Sequence, residues 1–257
     1  MADEQPYILE LDDAVHGRRR IATLKQAGRG PTVVWLQGFM SDMASTKASA
    51  LAEWAGRTGQ GLLRLDYSGH GRSSGRIEEG CIGLWLEDAR QAVARLTEGP
   101  LLLVGSSMGG WIGLLLAREL QLEDRLAGLV LIAPAWDMTE RLMWDEMSAD
   151  QRREVIDKGI WYEPSVYSDQ GYPITRRLIE EGRDHAIGGT GLRLEAPVHI
   201  LQGMRDADVP WRGSLALVDL LSGGDVRLTL VKDGDHRLSR PEDIALLLSV
   251  IKGIGGR

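Results

Sequence analysis

Leu101-Leu102-Leu103-Val104-Gly105-Ser106-Ser107-Met108-Gly109-Gly110-Trp111 is the stretch on which the reading of this chain turns. Leu101–Val104 is a run of four apolar residues, as a short buried strand requires, and Gly109–Leu120 carries apolar side chains at helical spacing. Between them, Gly105-x-Ser107-x-Gly109 fits G-x-S-x-G, the sharp turn that lifts a serine out where a strand passes into a helix. The spacing has a steric cause. A serine on such a turn sits on strained backbone, and a side chain two positions to either side would strike the turn or the adjoining strand. The helix that follows aims its N-terminus at any negative charge developing beside the hydroxyl. Ser107 is therefore the candidate nucleophile, and Met108 offers the first backbone N–H for an oxyanion.

Working outward, short apolar runs alternate with longer periodic segments, the order of parallel strands joined by crossover helices. Residues 6–11 and 19–24 read as a leading hairpin, and Thr32–Gln37 as a buried parallel strand. A helix near 43–59, a strand at Leu62–Asp66 and a helix over 81–97 come next. The last of these sets Ile82, Leu86, Ala89, Val93 and Leu96 on one face. Cys81, the only cysteine, reads as a small buried residue at its start. Beyond the serine come strands at Leu126–Ala133, Pro197–Gln202 and Val226–Val231, with helices near 212–221 and 241–252. The regular pattern lapses for roughly 60 residues after Pro134, too long for a plain loop. The expected architecture is one domain over residues 1–257: an α/β, doubly wound, mostly parallel sheet with a helical cap insertion at about 135–195. In such sheets ligands bind beyond the carboxyl ends of the strands.

The partners of Ser107 follow from chain order, since in folds using this turn the acid comes after the serine and the histidine after the acid. Gln202 closes a strand and precedes Gly203-Met204-Arg205-Asp206-Ala207-Asp208-Val209-Pro210; Val231 closes the next and precedes Lys232-Asp233-Gly234-Asp235-His236. His236 is the candidate general base and Asp206 the acid orienting it, with Asp208 the competing carboxylate. His199 falls mid-strand and reads as a packed residue. His16 lies in a turn and His185 in the insertion, while His70 is near the site but on the wrong strand for the base. No two histidines have metal-ligand spacing, so neither a metal nor a cofactor is expected. Gln37-Gly38-Phe39 is the expected source of the second oxyanion N–H, that of Phe39. The glycine-rich run Asp66–Ser73 follows a strand, but Ser74 stands where G-x-G-x-x-G needs glycine. It reads as part of the rim of the site and not as a dinucleotide loop.

The net charge of −7, with acids and bases interspersed, argues against nucleic acid as a partner. One cysteine excludes an intrachain disulfide. No run approaches the roughly 18 apolar residues of a membrane span. The N-terminus carries no basic, apolar leader, so a cytoplasmic location is expected. Trp136, Met138, Leu142, Met143, Trp144 and Met147, then Trp161, Tyr162 and Tyr167, give the insertion an apolar set. Such residues can simply glue a cap to a body. Met143, Trp144 and Trp161 are the candidates for lining an acyl-chain site.

Taken together, Asp66–Gly75, Gly105–Trp111, Gly203–Trp211 and Gly234–Asp243 resemble the α/β-hydrolase superfamily. More narrowly, they and the segment from Lys158-Gly159-Ile160-Trp161 to Pro164-Ser165-Val166-Tyr167-Ser168 resemble its family of palmitoyl-protein thioesterases and their bacterial relatives. The resemblance covers about residues 30–250. It implies Ser107, Asp206 and His236 as a catalytic triad, and hydrolysis of fatty-acyl thioesters, S-acylated protein among them, and of acyl glucuronides. Two features depart from the family: the mitochondrial targeting segment of the animal proteins is not found here, and Gln37 stands where many members carry histidine or proline. The same triad would equally serve a small-molecule carboxylesterase or a C–C bond hydrolase. A non-catalytic binding protein on this fold is the rival of another class.

Overall fold

The apolar runs become the central strands of one eight-stranded sheet, seen in a computed structural model that describes residues 5–165 and 168–255. In chain order, β1 (Tyr7–Asp13), β2 (Gly17–Gln26) and β3 (Arg29–Leu36) precede α1 (Thr46–Thr58), β4 (Gln60–Leu65) and α2 (Ile82–Leu96). The elbow joins β5 (Leu101–Ser106) to α3 (Met108–Leu122), and β6 (Leu126–Ile132) leads into the insertion. The insertion holds α4 (Ala149–Lys158), β7 (Ile160–Ser165), β8 (Ser168–Thr175) and α5 (Arg176–Gly182). The body resumes with β9 (Leu192–Leu194), β10 (Val198–Gly203), α6 (Arg212–Leu220), β11 (Leu221–Gly223), β12 (Val226–Val231) and α7 (Pro241–Gly255).

The sheet order is β1-β2-β4-β3-β5-β6-β10-β12. The leading hairpin forms as expected, Tyr7 opposite Thr23, and β2 is antiparallel to β4; every later pairing is parallel. From β3 the chain moves outward to β4 and then returns to the other side as β5. The order reverses between β3 and β5, so a crevice opens at that point of the carboxyl edge. Leu36 pairs with Gly105, which sets the loop after β3 directly beside the elbow.

Alternate residues of each strand feed opposite faces, as the pleat demands. Val34, Leu36, Leu101 and Leu103 join the core under α2 and α3, while Val33, Trp35, Leu102 and Val104 join the core under α1 and α7. Cys81 is buried and opens α2. His199 departs from its reading: it is half-buried, not packed in the core, and bonds Thr229 Oγ1 at 2.9 Å.

The insertion begins with a π-helical turn at Thr139–Trp144, followed by α4, whose first turn closes with a reciprocal Ser148–Gln151 capping box. After α4 the helical run is broken by a two-stranded ribbon. Ile160–Ser165 pairs antiparallel with Ser168–Thr175, Ile160 opposite Thr175, before α5 starts on the Thr175 side-chain cap. A two-stranded ribbon of a few residues per arm is too short to show periodicity in a sequence already rich in aromatics. The cap has a small core of its own in Met147, Val155, Ile174 and Ile179. It is tied to the body through Glu181, whose carboxylate accepts the N–H of Gly83 at 2.9 Å in the first turn of α2. Cys81 gives that helix no side-chain cap. Among the described residues no helix is long and apolar enough to cross a membrane.

Candidate active site

Ser107 sits at the switch point with φ 56° and ψ −122°, a conformation that L residues adopt only under strain. The two flanking glycines permit it. A Cβ at Gly105 would overlap the backbone of Gly109, and one at Gly109 would overlap the carbonyl oxygens of Leu36 and Gln37 on the adjoining strand. The turn is pinned by backbone bonds alone: Ser107 N–H donates to Ile132 O at 2.9 Å, while Ser107 O accepts from Gly110 and Ala135. Of six non-glycine residues with positive φ among those described, five (Met40, Ser107, Ala133, Asp137 and Leu238) lie in loops at this carboxyl edge. Strain is stored where the chemistry would be.

The loops after β10 and β12 bring the two predicted partners to the serine. The Ser107 hydroxyl faces His236 Nε2 at 3.2 Å, and His236 Nδ1 lies 2.9 Å from Asp206 Oδ2. With Nδ1–H donating to the carboxylate, Nε2 is free to accept the serine proton. The Asp206 side chain is fully buried. Its Oδ1 accepts the N–H groups of Asp208 and Val209, and its Oδ2 also accepts Gln202 Nε2 at 3.0 Å. Gln202 is in turn held by Ser214 Oγ at 2.8 Å. Asp208 is exposed and contributes its backbone, so of the two carboxylates Asp206 is the one bonded to the histidine. Gln202 and Ser214 went unread in the sequence. A glutamine closing a strand gave no sign of the carboxylate it would face. On the other side, Lys47 on α1 donates to the carbonyl of Arg237 and to Ser239 Oγ, bracing the histidine loop. Burial, aided by the charge of Arg237, brings its ammonium group down to about 8.

Gly38 abuts Ser107: a Cβ built there would lie 3.2 Å from Ser107 Cβ. The next N–H, that of Phe39, makes no hydrogen bond with any described residue, and Met108 N–H opens a helix and has no partner within it. The two predicted donors are thus unspent beside the serine. The loop carrying Phe39 is held by the Asp66–Ser73 run. Asp66 Oδ1 accepts Met43 N–H at 2.7 Å, and His70 Nε2 accepts Met40 N–H at 3.2 Å. The Asp66 carboxyl is raised by burial, against the pull of its backbone donors, and burial lowers His70 to about 4. The Phe39 ring lies 5.7 Å from Trp85 and 5.9 Å from Tyr172 on the cap hairpin. Across the hairpin, Glu163 pairs with Tyr172, and its carboxyl is raised by burial and by the charge of Asp208. One hairpin therefore neighbours both the Phe39 loop and the Asp206 loop.

The residues proposed for acyl binding are placed differently. Met143, Trp144 and Trp161 all pack against the cap's own small core, and Met143 also touches the main core. Trp144 is flanked by the guanidinium groups of Arg152 and Arg183, 5.4 and 5.3 Å from its ring. Tyr167 lies outside the described residues. As for metals, ligand atoms of Asp206, Asp208 and His236 come within 4.8 Å of one another. The bond between His236 and Asp206 already employs the histidine Nδ1 and one carboxylate oxygen.

A serine raised on that turn, at that point of that strand order, is the mark of the α/β-hydrolase class. Residues 30–158 match the family Hydrolase_4, described as serine aminopeptidase, S33. The palmitoyl-protein thioesterase ABHD10 of Bos taurus, a mitochondrial protein, is 35% identical over 234 residues, covering 90% of this chain and 75% of the relative. A crystal structure of a putative hydrolase from Agrobacterium vitis S4 superposes with a TM-score of 0.93 at 41% identity, covering 98% of each chain. ABHD10 from mouse superposes at 0.85 and 32% identity, covering 96% of this chain and 97% of its own. The chain belongs to the ABHD10-related family of α/β-hydrolases and is a hydrolase.

Proposed function

We propose that this enzyme cleaves acyl thioesters and esters, fatty-acyl thioesters of S-acylated protein among them, through an acyl-enzyme on Ser107. The observation that carries the reading is the chain of bonds from the Ser107 hydroxyl through His236 to the buried Asp206. As the hydroxyl oxygen attacks the acyl carbonyl, His236 Nε2 takes its proton, and Asp206 stabilises the imidazolium formed. The carbonyl electrons move to oxygen, where the N–H groups of Phe39 and Met108 meet the charge. Collapse breaks the bond to sulfur or oxygen, and His236 protonates the departing thiolate or alkoxide. Water, deprotonated by the same nitrogen, then attacks the acyl-serine and releases the acid. The chemistry needs no cofactor.

The thioester preference draws on the family, since relatives named palmitoyl-protein thioesterases share a third of the sequence. A short-chain carboxylesterase is the second reading, favoured by one observation: the three residues expected to line an acyl site are engaged in the cap's own core. Rates on thioesters and oxygen esters of graded chain length separate the two. Each buried methylene is worth roughly 0.8 kcal/mol, so a built acyl site raises kcat/KM on the order of tenfold per added pair of carbons until its end. A flat series assigns the enzyme to short esters. In the same assays Ser107→Ala should lower turnover on the order of 10⁴–10⁶-fold and abolish fluorophosphonate labelling, while Ser106→Ala changes little. A Ser107→Ala enzyme that still turns over and labels would remove the nucleophile assignment.

A further inference from the structure

His70 is the one buried histidine the proposed chemistry leaves idle. It is 3% exposed and ringed by aromatics: Trp85 at 5.3 Å, Tyr67 at 5.8 Å and Phe39 at 6.3 Å, each edge to face. Both ring nitrogens are engaged. Nδ1 lies 3.2 Å from Ser68 O, a carbonyl that can only accept, so Nδ1 carries the proton. Nε2 then has a lone pair, and it is met by Met40 N–H at 3.2 Å. Ser68 O is itself fixed, since it also accepts Trp85 Nε1 at 3.0 Å. Met40 has φ 59°, unfavourable for an unbranched L residue, and follows directly on the residue whose N–H stands free beside Ser107. A left-handed Met40 persists only where its surroundings enforce it.

We infer that His70, as its neutral Nδ1–H tautomer, is a positioning residue that holds Met40 in the left-handed conformation and thereby aims the Phe39 N–H at the oxyanion. It touches neither substrate nor reacting atoms. The inference rests on the proposed acyl-transfer reading, in which Phe39 N–H meets charge that exists only in the transition state. Burial of the ring supports it, because the neutral form is the one that can accept a bond from Met40.

The test is a kinetic split. In His70→Phe the ring volume stays but the acceptor goes; in His70→Gln an amide oxygen reaches the same N–H. His70→Phe should lower kcat about 10–100-fold, the scale of a misplaced donor. Its KM should stay within about threefold, because ground-state binding does not use that N–H. Its affinity for a trifluoromethyl ketone carrying the substrate's acyl chain, which forms an oxyanion on Ser107, should fall by the same factor as kcat/KM. His70→Gln should recover most of both losses. Equal losses in the two variants, or a loss seen in KM alone, would overturn the inference, since a merely structural role would produce either. Nitrogen-15 spectra of the unaltered enzyme give a second arm that needs no variant to fold: a proton found on Nε2 of His70 overturns it outright. Failure of the wider reading shows elsewhere, as turnover and labelling by Ser107→Ala, whereas a dead Ser107→Ala beside a normal His70→Phe sinks this inference alone.

Discussion

The two N–H groups proposed as oxyanion donors beside Ser107 are held by different means. Met108 is held by the elbow, where glycines at 105 and 109 let backbone lie against backbone, and Ser107 bonds Ile132, Gly110 and Ala135 through the main chain. Phe39 is held by side chains from a loop about 30 residues further on, with His70 gripping Met40 and Asp66 gripping Met43. A turn locked by sterics has little room to move and little to titrate. A loop locked by an imidazole and a carboxylate can be loosened by one substitution or by protons. The contrast teaches that one of the two proposed donors is a property of its own pentapeptide, and the other a property of the tertiary fold.

The sharpest way to break the contrast is Gly109→Ala. Its methyl group would overlap two carbonyl oxygens that cannot retreat without moving β3. The expected loss is on the order of 3–5 kcal/mol of stability, at the extreme of single substitutions, read in urea unfolding and in soluble yield. A well-folded, active Gly109→Ala would show the elbow to be softer than its geometry. The matching change on the other side is Asp66→Asn. One amide N–H would then confront a backbone N–H, of Arg72 or of Met43, that now donates to the carboxylate. A loss of about 1–3 kcal/mol is expected for the unsatisfied pair, with kcat lowered roughly tenfold in an enzyme that still folds. If KM rises instead of kcat falling, the loop shapes the binding site and not the donor.

The third prediction is a pH dependence belonging to the side-chain-held loop alone. Burial lowers His70 from its ordinary 6.5 to about 4. Over that interval the unfolded chain takes up a proton that the folded one refuses, so stability present above pH 6.5 drains away as pH falls toward 4. The buried Asp66 runs the other way, because a raised carboxyl keeps its proton better when folded. The difference between the unaltered enzyme and His70→Gln isolates the histidine. Plotted between pH 4 and 6.5, that difference should slope; a flat line would mean that His70 does not titrate with unfolding.

The same contrast explains what the sequence disclosed. The elbow, the alternation of strands and helices and the order of serine, acid and histidine are local or ordinal features, and all could be read from the chain. Asp206 is preferred to Asp208 by the family resemblance, and the bond to His236 falls on it. His70 lies on the wrong strand for a general base. What it does instead depends on which backbone N–H its Nε2 meets, which spacing does not encode. The cap was harder still. An aromatic-rich insertion announces burial without saying against what. Trp144 went between two arginines and Trp161 onto the cap's own core, while Tyr172, unremarked in the sequence, reached the ring of Phe39.

Glu181 gives the insertion a second meaning. Its carboxylate closes the first turn of α2, a helix of the body that brings no side-chain cap of its own. The cap therefore cannot be exchanged between relatives as a detachable module. A graft that omits an acceptor at this point leaves α2 frayed at the end next to Trp85, whose ring borders both His70 and Phe39. Chimeras made to transfer acyl preference would then lose rate for a reason unrelated to the acyl chain, unless position 181 travels together with the surface it caps.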